Sequence, residues 1–282
     1  MNGVTLLNKN LKYLKKEIIK IFNTYKKLEI KDIWIYFILP IVTFILFLLP
    51  KYVQDNLAMN LKNPKVWQFI TSAYVHKDFS HFFGNISLYI ISILLLIFLA
   101  KKSNLLKRLE RLMIITLILL PVLSSLLSYY YPIFNLQTER GASGLVSAVL
   151  GFIPALWFAV THPKMRTKLY YGIILPLLFV LYLSLSFTYT YIPKWKYYSL
   201  ILIIIFLISF ILLFIKNQMK FVKNNFGIYF ISIISISIFF SIPITLFPKT
   251  YIINSTLTNF ITHYIGIMFG VGISFIFFNK YK

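Results

Sequence analysis

The sequence predicts an all-α polytopic membrane protein, and three observations support this fold class. Hydrophobic residues make up 59% of the 282-residue chain. Charge-free stretches of about 20 residues recur along it, which is the length needed to cross the hydrocarbon core of a bilayer. The seven acidic residues all fall outside these stretches. A soluble protein with unusually long core helices fits these lengths poorly.

Eight apolar runs predict eight membrane spans. Prolines such as Pro50 and Pro163 mark the ends of runs, as expected where a helix stops. Pro121 and Pro154 lie inside runs, where neighbouring helices tolerate a kink. The runs cover residues 33–50, 81–100, 112–131, 143–161, 169–192, 197–215, 226–247 and 259–279.

The basic residues predict how these spans are oriented. Together, residues 1–32, 101–111, 164–168, 216–223 and 280–282 carry 21 of the 29 Lys and Arg residues. Because basic loops are retained on the cytoplasmic side, both termini are expected in the cytoplasm. The net charge of +22 then reflects contact with anionic lipid, and nucleic acid is not an expected partner.

The segment 1–32 is predicted to be a cytoplasmic, basic amphipathic segment. Leu7, Leu11, Leu14 and Ile18 recur at helical spacing among lysines, a pattern typical of a helix lying on the inner leaflet. The segment has no cleavable signal pattern, because its apolar stretch follows a long basic one. A targeting segment that is read by a receptor is the alternative interpretation.

Composition excludes several kinds of chemistry. The absence of cysteine excludes disulfides, thiolate nucleophiles and Cys-ligated metals. Without carboxylates in the spans, neither a paired-aspartate protease nor a proton relay within the membrane is available. The four histidines form no HExxH motif, so a zinc protease is not indicated, and no metal or cofactor is expected. Serine chemistry is the main enzymatic possibility that is left.

Unusual polar residues occupy the first two turns of three predicted spans that all run from outside to inside. They are His81 and Asn85 in the second span, Ser143 in the fourth and His263 in the eighth. At a rise of 1.5 Å per residue, these positions lie within roughly 10 Å of one another in depth. Because polar groups are costly in lipid, such a layer predicts a functional site.

Small residues at four-residue spacing predict that two of these spans pack closely. Gly266 and Gly270 form one such pair, and Gly144 and Ala148 form another. A serine–histidine hydrogen bond of about 2.6–3.2 Å between two helices requires such an approach. We therefore hypothesise that a serine nucleophile and its histidine base meet inside the membrane.

Four segments resemble those of the rhomboid family of intramembrane serine proteases. The resemblance covers about 65–152 and 259–272. Gly141-Ala142-Ser143-Gly144 resembles the family's GxSG motif, and His263-Tyr264-Ile265-Gly266 with Gly270 resembles its HxxGxxxG motif. His76, His81 and Asn85 are similar to the histidines and asparagine of its second span. The segment from Trp67 to Val75 resembles the one that leads into that span.

The resemblance implies roles for these residues. Ser143 would be the nucleophile and His263 the general base and acid, in a dyad because no acidic residue is available to orient His263. His81, Asn85 and the backbone N–H of Ser143 would hold the oxyanion, where preorganised donors are worth ~3–4 kcal/mol each. His76 would be a structural partner in the outer loop.

The resemblance also implies the architecture and the substrate. Residues 33–282 would form a transmembrane domain with a six-helix core, and two additional helices would lie within about 169–247. The protein would cleave transmembrane segments of membrane proteins, with its active site opening toward the extracellular side of the cell membrane.

The chain departs from the family pattern at several positions, and two other functions remain open. Ser147 stands where the family commonly has tyrosine, and Gln68 stands where an arginine is usual. Three predicted spans, instead of one, separate Ser143 from His263. The first alternative is a catalytically weak or inactive rhomboid-like protein that binds membrane clients, although such relatives typically lack the serine or the histidine. The second is a small-molecule transporter, although the spans do not divide into similar halves.

Overall fold

The computed structural model describes residues 30–130, 138–161, 174–208, 252–253, 256–257 and 260–279. Most of the predicted segment 1–32 and of the predicted span 226–247 lies outside the described residues. Single residues are also described in these two segments, namely Lys15, Ile19, Asn23, Tyr25, Ile234, Ser235, Ser237 and Ile238.

The described chain is mostly helical. Its first elements are α1 (Ile30–Phe47), α2 (Lys51–Leu57), β1 (Met59–Asn60), α3 (Gln68–Thr71), a 3₁₀ turn (Ser72–Tyr74), α4 (Phe79–Lys102) and α5 (Leu106–Tyr130). They are followed by β2 (Thr138–Glu139), α6 (Ser143–Gly151), α7 (Ile153–Thr161), α8 (Leu175–Tyr191), a 3₁₀ turn (Pro193–Trp195), α9 (Lys196–Ile208), β3 (Ile252–Ile253), β4 (Thr256–Leu257) and α10 (Phe260–Phe278).

Three stretches of the described chain are long and apolar enough to cross a membrane. They are α4, α5 and the consecutive pair α6–α7, and they coincide with the predicted spans 81–100, 112–131 and 143–161. This confirms a helical protein with membrane-spanning helices. Shorter apolar helices lie in four more predicted runs, at Trp34–Phe47, Pro176–Thr190, Lys196–Ile208 and Thr262–Phe278.

Helix α4 begins two residues before the predicted span because of a capping interaction. The backbone at Asp78 is extended, and its carboxylate accepts a hydrogen bond of 2.9 Å from the N–H of His81. An N-terminal Asp satisfies one of the N–H groups that a helix leaves unpaired at its start. The cap therefore sets His81 in the first turn of α4.

The predicted span 143–161 consists of two helices that meet at Phe152. Pro154 has no N–H, so it cannot donate to the carbonyl of Leu150, and the helix is interrupted at this point. In the 18-residue apolar part of this stretch, 94% of the residues are buried, against 44% in the corresponding part of α4 and 50% in that of α5. The pair α6–α7 is therefore the central span, surrounded by the other helices.

Helices α6 and α10 pack in parallel with their backbones in contact. A methyl group added at Gly266 would overlap the carbonyl oxygen of Gly144, and one at Gly270 would overlap that of Ala148. Ala148 follows Gly144 in α6, and their partners Gly266 and Gly270 follow each other in the same order in α10. The two helices therefore run in the same direction. Small residues allow this close approach, as the sequence predicts.

The end of the protein at which α6 begins is organised around the buried side chain of Gln68. Its Oε1 accepts hydrogen bonds from the N–H groups of Asn60 (3.3 Å) and Lys65 (3.0 Å). Its Nε2 donates to the carbonyl of Asn56 at 2.9 Å. These bonds fold the loop between α2 and α3, and they hold β1 where it pairs with β2.

The C-terminal end of α10 is held by Arg108 of α5. Its Nη1 donates to the carbonyl of Phe277 at 3.0 Å and to that of Asn279. The last carbonyls of a helix have no partner within it, and an arginine satisfies them while matching the negative end of the helix dipole. Helix α10 is thus fixed against α6 along its length and against α5 at its end.

Two glycines of α10 provide a test of the backbone contact. We expect Gly270→Ala to lower the midpoint of thermal unfolding in detergent, because its methyl group would overlap Ala148. Nothing lies within 4 Å of the same position on Gly272. Gly272→Ala should therefore raise stability by about 0.5–1 kcal/mol, the ordinary gain of alanine over glycine in a helix. Equal effects of the two substitutions would contradict the packing.

Candidate functional site

Ser143 is the first residue of α6 and is half-buried. The first N–H groups of a helix have no partner in a preceding turn, and they carry the positive end of the helix dipole. The Ser143 side chain therefore lies beside backbone donors that can stabilise a negative charge. This arrangement suits a hydroxyl that becomes part of a negatively charged intermediate.

Gly141 brings the chain into α6 in a conformation that requires glycine. Its φ is +129°, and its N–H donates to the carbonyl of Ser72 at 2.9 Å. A methyl group here would also lie 2.6 Å from Cε1 of His81. The first glycine of the Gly141–Gly144 motif is therefore needed both for the backbone and for close contact with His81.

The segment 138–140 is held from two directions. Thr138 and Glu139 pair with Asn60 and Met59 in the β1–β2 ladder. The guanidinium of Arg140 contacts the Asp55 carboxylate at 2.8 Å. Both interactions tie the residues before Ser143 to the segment 55–60, so the start of α6 is also held by contacts from outside α6.

His76 connects Asn85 with the residue before Ser143. Asn85 Nδ2 lies 3.2 Å from His76 Nε2, and the N–H of Ala142 donates to the same nitrogen at 3.4 Å. With two donors directed at Nε2, that nitrogen accepts and the ring proton lies on Nδ1. A neutral, fully buried His76 therefore links α4 to the start of α6.

His81 packs against His76 and Gly141. Its ring centre is 5.2 Å from that of His76, in an edge-to-face arrangement, and its edge contacts Gly141. His81 and Asn85 are both half-buried. Of the two residues predicted for an oxyanion site, His81 thus packs against Gly141, and Asn85 is linked to Ala142 through His76.

His263 lies in the first turn of α10 and is half-buried. Gly266 lies opposite Gly144, so residue 265 is level with Ser143. Residue 263 is two residues away from that level, which is about 3 Å along the helix axis. Gly266 and Gly270 form the contact stripe of α10, the line along which this helix touches α6. His263 precedes Gly266 by three residues, so it projects about 60° from this stripe. The serine and the histidine therefore start from adjacent helix ends at the same depth.

Thr262 and Glu139 form a contact that the sequence analysis missed. The hydroxyl of Thr262 donates to Oε1 of Glu139 at 2.7 Å, across 123 positions of the chain. A carboxylate thus contacts the residue next to His263, whereas the sequence predicts that no acidic residue is available there. The available signal was the position of Glu139, which is the last acidic residue of the chain.

Ser147, which stands where the family commonly has tyrosine, makes a hydrogen bond within its own helix. It is fully buried, and its hydroxyl donates to the carbonyl of Ser143 at 2.7 Å. This is the local bond that a serine within a helix commonly makes. Ser147 thus belongs to the packing of α6.

A small polar cavity lies behind the start of α6. The hydroxyls of Ser72 and Ser125 are 3.3 Å apart there. The cavity is also lined by Glu139, Gly144 and Thr262. Within the described ranges, no three side chains of His, Asp or Glu converge as metal ligands.

Comparison with known families identifies the chain. Residues 63–201 match the family model of the rhomboid domain. The chain is a rhomboid family protein. The match contains His76, His81, Asn85 and Ser143, and it ends before α10 and His263. No curated protein and no solved structure matches significantly. With its membrane-spanning helices, this rhomboid is a multi-pass membrane protein.

The buried His76 predicts that this rhomboid is sensitive to acid. Burial, with a smaller contribution from the charge of His81, lowers the pKa of His76 to about 3. In the unfolded chain a histidine titrates near 6.5. The stability from the neutral ring is therefore complete above pH 6.5 and is lost as the pH falls toward 3, by on the order of 1 kcal/mol per pH unit.

Unfolding curves of wild type and His76→Gln in detergent, recorded from pH 8 to pH 4, test this. At pH 8 the difference between them reports only the lost contacts of His76. The variant should lose less stability than wild type between pH 6.5 and pH 4, because it has no proton to bind there. Parallel losses in both proteins would contradict the prediction.

Proposed function

We propose that this rhomboid is an intramembrane serine endopeptidase that uses a Ser143–His263 dyad. The observation that carries the proposal is the backbone contact of α6 with α10 at Gly144 and Gly266, next to both residues. Two backbones at this distance leave no room for another helix between the hydroxyl and the imidazole. The family match supports the same chemistry, since rhomboids are usually serine proteases.

In the proposed reaction, His263 accepts the hydroxyl proton of Ser143 as its oxygen attacks the carbonyl carbon of the substrate. The tetrahedral intermediate then collapses, the peptide C–N bond breaks, and the imidazolium donates its proton to the leaving nitrogen. Water attacks the resulting ester with the same help from His263, releasing the acid product and restoring the serine. Protein groups and water are sufficient, so no cofactor is invoked.

His81, Asn85 and the Ser143 N–H would stabilise the oxyanion of the intermediate. An asparagine amide has two N–H groups, and the contact of Asn85 with His76 uses only one of them. The remaining donor is held in a fixed direction before the substrate arrives. Such preorganisation is what makes an oxyanion site effective where water is scarce.

The direction of the helices supports the proposed topology. Since α6 and α10 are parallel, an odd number of crossings has to separate them if both cross the membrane. Three predicted spans within 169–247 meet this condition, and two of them would be additions to a six-helix core. We therefore propose eight spans, cytoplasmic termini and a site that opens to the extracellular side.

The substrates would be transmembrane segments of other membrane proteins. A hydrogen-bonded helix hides its carbonyls, so the cleaved segment would have to unwind near the outer face of the membrane. Small or helix-breaking residues at that depth are therefore the expected cleavage region.

Cleavage of a single transmembrane substrate in proteoliposomes tests the proposal. Ser143→Ala and His263→Ala should each lower kcat by about a thousandfold or more, since either group is indispensable to the dyad. Ser147→Ala is the matched control, because it removes another hydroxyl from the same helix and should retain turnover. Fluorophosphonate labelling should disappear only in Ser143→Ala and His263→Ala.

Two outcomes would contradict the dyad. Equal cleavage by wild type and Ser143→Ala would place the reaction elsewhere. Capture of the substrate by wild type without cleavage or labelling would favour the client-binding alternative.

A further inference from the structure

We propose that Glu139 is a positioning residue for His263 and acts through the hydroxyl of Thr262. This inference rests on the proposed function, and it assigns a role to a carboxylate that the dyad does not use. Glu139 precedes the nucleophile by four residues, and Thr262 precedes the base by one. A single hydrogen bond of 2.7 Å between them thus joins the two halves of the proposed site.

Thr262 is enclosed on two sides by the segment that carries Ser143. It is only 6% exposed, and its hydroxyl donates to Glu139. Its methyl group lies 2.7 Å from the point where a side chain at Gly144 would begin. The methyl group therefore limits how closely α10 approaches α6, while the hydroxyl limits how far α10 can rotate.

Glu139 is itself firmly anchored, so its bond can hold α10 in place. Its backbone pairs with Met59 in the β1–β2 ladder. Hydrogen bonds to a carboxylate are shorter and about twice as strong as those between neutral groups. A partly buried setting strengthens the bond further, because fewer water molecules compete for the oxygen.

The rotation of α10 matters because His263 lies on the flank of the contact stripe. The glycines at 266 and 270 allow the two helices to approach closely but offer no side chain that opposes sliding or turning. Tyr264, on another face of α10, bonds to Ser184 of α8 at 2.7 Å. The Thr262–Glu139 bond is the corresponding contact toward the nucleophile, and the two bonds together fix the direction of the imidazole between them.

Three substitutions separate the hydrogen bond from the packing. Thr262→Val keeps the shape of the side chain and removes its hydroxyl, whereas Thr262→Ser keeps the hydroxyl and removes the methyl group. We expect Thr262→Val to lower kcat by about 10²-fold with little change in KM, since a displacement of about 1 Å has such an effect. Thr262→Ser should restore most of the turnover. Glu139→Met should resemble Thr262→Val.

The matched control is Asp55→Asn. It weakens the other carboxylate contact of the same segment, that with Arg140, which does not reach α10. An exposed ion pair contributes little, so turnover should stay within about twofold of wild type. A loss equal to that of Thr262→Val would show that any weakening of the segment has the same effect, which would overturn the specific role of Glu139.

A double-mutant cycle provides a readout that is independent of catalysis. The double variant Glu139→Met, Thr262→Val should have an unfolding midpoint no lower than that of the more damaging single variant. The reason is that both substitutions remove the same hydrogen bond. Additive losses, or equal kcat values for Thr262→Val and wild type, overturn the inference while the protease activity stands. A wild type without turnover or labelling overturns the proposed function and the positioning role together.

Discussion

The close contact of two parallel helices is the constraint on which the rest of this rhomboid depends. Inside a bilayer there is no hydrophobic driving force between helices, so α6 and α10 are held by direct packing of backbone on backbone. Gly144 with Gly266, and Ala148 with Gly270, have no side chain or only a methyl group, so the two backbones can touch. The same contact sets the two proposed catalytic residues at one depth. Stability and chemistry therefore depend on the same few positions.

The contact alone does not orient the site, and the short segment 138–142 completes it. This segment pairs with β1, and its backbone hydrogen-bonds to Ser72 and His76, so it joins the chain between β1 and α4 to the start of α6. His76 in turn fixes Asn85. These hydrogen bonds offset part of the cost of burying the polar groups around the start of α6.

Much of the helical framework could be predicted from composition. Runs of apolar residues located α4 and the central pair α6–α7 to within two residues and α5 to within six, because the thickness of a bilayer sets the length of a span. The errors have local causes. The carboxylate of Asp78 extends α4 toward its N-terminus, and the missing N–H of Pro154 divides the central span at Phe152. Capping and proline effects depend on one side chain, so hydropathy does not detect them.

The sequence by itself determined the membrane class and the family motifs, and it predicted that Ser143, His263, His81 and Asn85 lie within the first two turns of their helices, since such positions follow from counting residues along a helix. Only the tertiary structure decided which groups meet across the chain. The shared use of His76 by Asn85 and Ala142, and the bond of Thr262 to Glu139, join residues that lie 9, 66 and 123 positions apart. No local pattern encodes such pairs, because they arise from the rotation and register of packed helices.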